Sequence, residues 1–286
     1  MFADTHCHFS YLQDKGFNLV TLLNDLYEKK CPFLLDIGTK AYDFEQRFSL
    51  FQSALSELTN QREKSYLENM VKFSVGIWPD SQAILRGREE LALLESVLQK
   101  YQKNIIALGE CGLDHHWNPT GVDNRSQDDF DEAMLEKEKE FFYNQILMAQ
   151  QFNLPVIVHS RDAFEDTLSV IKDANYHNGI IHCYSYGIEE ARAFLDLGWY
   201  ISFSGSVTYF KKSTYETIKE LVNFIPKERL LVETDAPYLA PVPCRGKPNS
   251  PLLIEYTYAQ IAEFLAISRE TLANLVFENA KKLFSL

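Results

Sequence analysis

The chain is poor in cysteine. Its five cysteines are scattered, with no CxxC pair and no zinc-knuckle spacing. That excludes a disulfide-stapled scaffold and suits reduced thiols in a cytoplasmic compartment. A surplus of basic residues is also missing. Forty acidic side chains stand against 28 basic ones, a formal net charge of −12, which argues against a broad basic face that coats duplex nucleic acid. A nuclease gripping a few phosphates in a metal-lined pocket survives that argument. No apolar run approaches the ~18 residues of a membrane span. The opening residues, Met-Phe-Ala-Asp-Thr-His, lack the basic-then-apolar order of a signal peptide. Low-complexity stretches and fixed-period repeats are absent as well. The expectation is a cytoplasmic protein without membrane association and with no obligate protein partner evident.

What is present is a globular balance, 46% apolar and 24% charged, and a regular alternation. Short apolar, β-prone runs recur at Phe2–Thr5, Phe33–Ile37, Lys72–Ile77, Ile105–Gly109, Pro155–His159, Gly179–His182, Trp199–Phe203 and Arg229–Thr234. Most are continuously apolar, which suits strands covered on both faces. Segments with helical spacing lie between them. Examples are Val20, Leu23 and Leu26; Leu91, Leu94, Val97 and Leu98 within one helical segment over Ala83–Tyr101; and Phe141, Phe142, Ile146 and Ala149. Ser268 is placed to cap a last helix. Eight strands interleaved with helices predict a (β/α)8 TIM barrel forming a single domain over residues 1–286. A doubly wound open sheet is the alternative, because periodicity alone cannot close a sheet. Two polar stretches read as insertions: Asn60–Glu68, and an acidic segment at 116–131 after the fourth strand.

The chemistry-bearing residues fall at strand ends. His6 and His8 end the first predicted strand, Glu110 the fourth, His159 the fifth, His182 the sixth and Asp235 the eighth. In a barrel these ends converge on one mouth. Strand side chains alternate, so His6 and His8 point the same way and Cys7 the other. By the same rule Cys111 and Cys183 turn away from the site as small fillers. One imidazole pair with a carboxylate would hold one divalent ion, and two further histidines with a shared carboxylate a second, with Glu110 as the natural bridge. Two ions ~3.5–4 Å apart clamp attacking and leaving oxygens and acidify water. Asp235 is placed to bind an ion and to accept a proton. A lone buried histidine is more often a core residue than a ligand, and HxH alone is a weak motif. Four of seven histidines at predicted strand ends, beside Glu110 and Asp235, outweigh that reading. His115 and His116 read as loop or supporting residues and His177 as a solvated one.

Seven segments carry a resemblance: Asp4-Thr-His-Cys-His8, Gly109-Glu-Cys-Gly-Leu-Asp114, Val158-His-Ser-Arg-Asp-Ala163, His182-Cys-Tyr-Ser185, Ile201-Ser-Phe-Ser-Gly205, Val232-Glu-Thr-Asp-Ala-Pro-Tyr-Leu239 and Arg245-Gly-Lys-Pro-Asn249. In order and spacing they resemble the TatD-type metal-dependent hydrolases across nearly the whole chain. The resemblance implies an amidohydrolase-like TIM barrel. It also implies a divalent-metal DNase with 3′→5′ exonuclease activity on DNA or RNA ends. Residue by residue, it implies that His6, His8, Glu110 and Asp235 hold one metal and that Glu110, His159 and His182 hold the second. The ions would be magnesium, manganese, zinc or similar, with Asp235 and Glu110 the catalytic carboxylates.

One position departs from the family pattern. Where the third strand usually runs into Gly-x-His-Pro-His, this chain has Gly76-Ile-Trp-Pro-Asp80. An indole only donates or stacks, so Trp78 reads first as a plug of the barrel rim and second as a platform for a nucleobase. Arg161, Ser204 and Arg245, with Lys247, are candidate phosphate contacts. Arg161 alternatively pairs with Asp162 or Glu165, and Arg245 and Lys247 alternatively fold their loop over Asp235. Lys211 and Lys212 read as a solvated pair. Tyr184 and Tyr238, beside ligands, either stack or pack. An acidic 116–131 segment over the mouth would repel a polyanion. The alternative function is therefore hydrolysis of an ester or amide in an aminoacyl conjugate or small metabolite.

Overall fold

The computed structural model describes residues 2–116 and 131–286. Eight strands lie in it: β1 (Asp4–Cys7), β2 (Leu34–Asp36), β3 (Val71–Val75), β4 (Ile105–Asp114), β5 (Val156–Arg161), β6 (Gly179–Ile181), β7 (Tyr200–Phe203) and β8 (Leu230–Val232). They pair in parallel in sequence order. The two ends of the sheet then meet. The Asp235 N–H donates to the His6 carbonyl at 2.8 Å and the His8 N–H to the Ala236 carbonyl at 2.9 Å, beside a bridge between Cys7 and Ala236. Asp4 ties the same seam from inside, accepting the Thr234 hydroxyl at 2.6 Å and its N–H at 2.9 Å. The sheet is therefore the wall of a (β/α)8 barrel, and the open-sheet alternative falls, because an open sheet would leave β1 and β8 as unpaired edges.

The strands were legible because they are covered on both sides. Every residue of β2, β6, β7 and β8 is buried. Around the wall run α1 (Phe9–Asp14), α2 (Leu19–Glu28), α3 (Phe44–Glu57), α4 (Gln61–Met70), α5 (Ser81–Leu85) and α6 (Gly87–Tyr101). The second half adds α7 (Glu132–Phe152), α8 (Phe164–Ala174), α9 (Ile188–Asp196), α10 (Tyr215–Phe224), α11 (Ile254–Phe264) and α12 (Arg269–Phe284). Ser268 caps α12, its hydroxyl accepting the Thr271 N–H at 3.0 Å.

Three expectations change. Asn60–Glu68 is not an insertion but most of α4, with Asn60 accepting the Arg62 N–H at 3.0 Å as its cap. It buries only Leu67 and Met70, too narrow a stripe to show as a period. The helical spacing from Ala83 to Tyr101 divides at Arg86 into α5 and α6. The fourth strand does not stop at Gly109 but continues to Asp114. The expected 116–131 insertion lies outside the described residues except for His116 and Asp131; Asp131 caps α7 by accepting the Met134 N–H at 2.7 Å. No helix among the described residues is long and apolar enough to cross a membrane.

Candidate metal centre

The bend that keeps β4 going is also what aims Glu110. Leu108 pairs with Val156 but Cys111 with Val158, so β4 spends one extra residue between them, a bulge that re-aims a side chain. Gly109 and Gly112 have φ of +145° and +143°, a region that L side chains rarely adopt. A Cβ on Gly112 would lie 1.9 Å from the His159 carbonyl oxygen, and one on Gly109 2.6 Å from that of Ile157. Only glycine lets β4 approach β5 this closely. Cys7 and Cys111 are buried on the far side, each thiol directed at a backbone carbonyl of the next strand.

The carboxylate that results faces two ways. Glu110 Oε1 lies 3.0 Å from His159 Nδ1 and 3.0 Å from His182 Nε2. Its Oε2 lies 3.3 Å from His6 Nε2 and 3.8 Å from His8 Nε2. Asp235 Oδ1 closes the second side, 3.6 Å from His6 Nε2 and 3.5 Å from His8 Nε2. All six predicted ligands meet at the mouth. Ligand atoms of His6, His8 and Asp235 fall in one tight group, and those of His6, Glu110 and His182 in another, so His6 borders both halves.

The donor set fits divalent cations. The His6 and His8 Nε2 atoms are 3.2 Å apart, and His159 Nδ1 and His182 Nε2 3.3 Å apart. Two nitrogens sharing one zinc-like ion at bond lengths of ~2.0–2.1 Å sit ~2.9–3.4 Å from each other. The outward nitrogens fix which ring atom keeps its lone pair. His8 Nδ1 donates to the Ile37 carbonyl at 3.2 Å, His182 Nδ1 to Glu233 Oε1 at 3.3 Å and His159 Nε2 to Asp114 Oδ2 at 2.9 Å. Each leaves its other nitrogen facing Glu110 or Asp235.

Charge is strongly coupled here. Burial opposes ionisation of Glu110, yet the positive His182 and hydrogen bonds from His159 hold its carboxyl well below the usual carboxylate range. Burial likewise disfavours charge on His8, His159 and His182, but the facing carboxylates raise all three. His6 goes the other way, pushed down to about 4 by burial and then by the neighbouring His182 charge. Asp4, just below on β1, is pushed up to about 7 by burial.

Supporting residues escaped the sequence reading. Asp114 and Glu233 stand inside quoted segments, but nothing in their spacing marks them as partners of His159 and His182. Arg47 was invisible altogether. It is fully buried in α3 and donates to Asp36 Oδ2 at 2.6 Å, to Asp43 Oδ1 at 2.9 Å and to the Ser74 carbonyl at 2.8 Å. Ser74 in turn donates to the Gly109 carbonyl at 2.5 Å, while the Glu110 N–H donates to the Gly38 carbonyl at 2.7 Å. This buried network braces the backbone that carries Glu110.

The candidate substrate contacts are placed less uniformly. Arg161 clasps Asp114 with two donors, at 2.9 and 2.7 Å, and not Asp162 or Glu165, the partners of its alternative reading. Asp162 is instead 2.7 Å from His116 Nδ1, and His115 Nε2 is 3.3 Å from Glu138 Oε2. Ser204 is buried, its hydroxyl 3.1 Å from Cys183 Sγ and 2.9 Å from Ser206 Oγ, so it does not offer an exposed phosphate contact. Arg245 is exposed and lies over the Tyr209 ring at 4.3 Å. Lys247, Lys211, Lys212 and His177 are exposed as well. Trp78 meets the His159 ring edge-to-face at 5.7 Å. Tyr184 is buried and donates to the Gly187 carbonyl at 2.6 Å, so it packs, whereas Tyr238 is 45% exposed.

Comparison with known proteins agrees with this architecture. The profile of the TatD-related DNase family matches residues 3–285. YabD of Bacillus subtilis (strain 168), an uncharacterized metal-dependent hydrolase, is 40% identical over 211 residues, covering 73% of this chain and 76% of its own. YcfH of Escherichia coli (strain K12), described in the same words, is 32% identical over 287 residues, covering 99% and 96%. Among solved structures, the TatD homolog YJJV from Escherichia coli K12 superposes with a TM-score of 0.78 at 23% identity, covering 100% of this chain and 98% of that one. A TatD family hydrolase from Entamoeba histolytica does so at 0.80 and 19%, covering 99% and 97%. These structural likenesses speak for the shared barrel; the family profile and the full-length match to YcfH carry the relationship. The chain belongs to the TatD-related DNase family.

Proposed function

We propose that the protein is a metal-dependent hydrolase that cleaves phosphodiester bonds, working with 3′→5′ polarity on the ends of DNA or RNA. The observation that carries the hydrolase reading is Glu110, whose two oxygens face separate groups of histidine nitrogens, at 3.0 Å on one side and 3.3 Å on the other. His6, His8, Asp235 and Glu110 would hold one divalent ion, and His159, His182 and Glu110 the second. Bound ions supply Lewis acidity, which acidifies water and offsets charge on phosphoryl oxygens. The family name supports the nucleolytic assignment, and the relatives' descriptions support metal-dependent hydrolysis.

The two carboxylates divide the work by environment. Glu110 is buried among imidazoles that keep it ionised, which suits a permanent anionic bridge and not a group that must take up a proton. Asp235 is the more open of the two, its side chain 13% exposed against 6% for Glu110. It is the carboxylate able to accept a proton from an attacking water and pass it to solvent. The histidines hold their lone pairs inward through the carbonyl and carboxylate partners behind them. Arg161, Arg245 and Lys247 are the proposed phosphate contacts, the first presented from its clasp on Asp114. Five unpaired cysteines support a reducing cytoplasmic setting.

A second reading, hydrolysis of an ester or amide in a smaller substrate, is favoured by one observation, the formal charge of −12, which disfavours polyanions. The test of the main reading is Glu110→Ala. Hydrolysis of labelled single-stranded DNA should vanish and bound metal should fall by elemental analysis, with circular dichroism unchanged. Full nuclease activity in the variant would refute the bridging role. Wild-type turnover of an ester panel with none of the DNA would transfer the assignment to the second reading.

A further inference from the structure

The rim of the mouth is chemically lopsided. Beside β4 and β5 it carries the exposed carboxylates Asp162 and Asp166, with His116 and Lys139 next to them. Beside β8, β1 and β2 it is aromatic with a cation. Tyr238 presents a 45% exposed ring, its centroid 6.2 Å from the His8 ring and 6.2 Å from Tyr11. Tyr11 itself lies 5.2 Å from His8 and is held by a 2.7 Å hydrogen bond to the Thr39 hydroxyl. The next residue, Lys40, is exposed, with its ammonium 5.9 Å from the ring of Tyr42, which is 58% exposed.

Two acidic groups outside the metal centre act on these rings, Asp43 on Tyr11 and Asp14 on Tyr238. Asp43 is turned inward. It accepts the N–H groups of Thr39 and Lys40 and the Arg47 guanidinium, which it shares with Asp36, so its oxygens are engaged away from the exposed Lys40 ammonium. Asp14 is exposed at the end of α1. A half-exposed ring directly beside a ligand histidine, with an exposed ammonium on the same sector, combines the two elements that hold single strands: a π-face for a base and a positive charge for the backbone.

We propose that Tyr238, backed by Tyr11, is a stacking subsite for the base adjoining the scissile phosphate, and that Lys40 meets the backbone of the same strand. The strand therefore enters over β8, β1 and β2, with Arg161 left to meet the phosphate from the β5 side. The inference rests on the nucleolytic reading and adds the direction of approach and the ligand chemistry, a single strand with an accessible base.

The test is equilibrium binding with chelator present, so that nothing is cleaved. The probes are a short labelled oligothymidylate and an abasic strand of equal length, followed by fluorescence anisotropy. Wild type should prefer the base-bearing strand by ~5-fold or more, the lower range for one aromatic stack. Tyr238→Ala should lose that preference by weakening only the thymidylate complex, and Tyr238→Trp should keep it. Lys40→Ala should weaken both strands alike and make binding less sensitive to salt. The proposal is overturned if wild type shows no base preference, or if Tyr238→Ala retains it. Hydrolysis of the same oligothymidylate by the metal-loaded wild type judges the nucleolytic reading separately. Its failure sinks that reading, whereas hydrolysis without a Tyr238-dependent base preference sinks only the subsite.

Discussion

Replacing Asp114 by asparagine tests whether the groups behind the candidate ligands set metal affinity. The carboxylate is fully buried and serves His159, Arg161 and the His116 backbone together. Its Oδ2 accepts from His159 Nε2 at 2.9 Å and from Arg161 at 2.7 Å, and its Oδ1 accepts from Arg161 at 2.9 Å and from the His116 N–H at 3.0 Å. Burial opposes its charge, but His159 and Arg161 outweigh that and hold it well below the ordinary carboxylate range. An amide has one acceptor oxygen and one donor nitrogen. Facing the oxygen to His159 sets the NH2 against the guanidinium. Facing the NH2 to His159 reverses the ring's tautomer and puts a proton on Nδ1, the atom 3.0 Å from Glu110. Either outcome weakens the half of the site formed by His159 and His182. Loss of such a partner costs ~10–100-fold in metal affinity, or ~1.4–2.8 kcal/mol. Global stability should change less, by ~1 kcal/mol, since the Arg161 side chain is 39% exposed and can be hydrated. Calorimetric titration with zinc or manganese, run beside a thermal melt, separates the two effects. Affinities within twofold of wild type at every site would refute the reasoning.

Two further outcomes are expected. Metal affinity should rise with pH and level off, because His8, His159 and His182 have raised pKa values in the metal-free protein and must release protons to bind an ion. The same shifts mean that their pairing stabilises the metal-free fold fully below the ordinary histidine value of ~6.5, and that this contribution is lost as pH rises through the higher folded values. A pH-independent affinity would contradict both statements. Arg47→Met removes a cation that is 1% exposed from a carboxylate that is 0% exposed, so urea unfolding should show a loss of ~3–5 kcal/mol, and a loss under ~1 kcal/mol would show that the Asp36 pair is not a principal brace.

The parts of the fold that were legible share a cause. A strand covered on both faces needs apolar side chains throughout, so β2, β5, β6 and β7 announce themselves as continuous runs. The part of β4 beyond Gly109 did not, because Gly109 and Gly112 look like stops in a linear reading. In the barrel they are the residues whose missing Cβ admits the neighbouring backbone. Helix α4 was missed for a related reason: burying two side chains on an otherwise polar surface leaves almost no period to read.

For the site, residue type and position along each strand were determined by the sequence. The two-residue spacing of His6 and His8 already placed both rings on one side, and the remaining candidate ligands already stood at strand ends. Their meeting was decided only in three dimensions. His6 and Asp235 come from opposite ends of the chain and touch because β1 and β8 join, a long-range closure that no local spacing encodes. The supporting roles of Asp114, Glu233 and Arg47 belong to the same class, since a hydrogen-bond partner is chosen by distance and angle in space. Ser204 shows the converse: its strand-end position suggested a substrate contact, and the packing around Cys183 and Ser206 turned its hydroxyl inward.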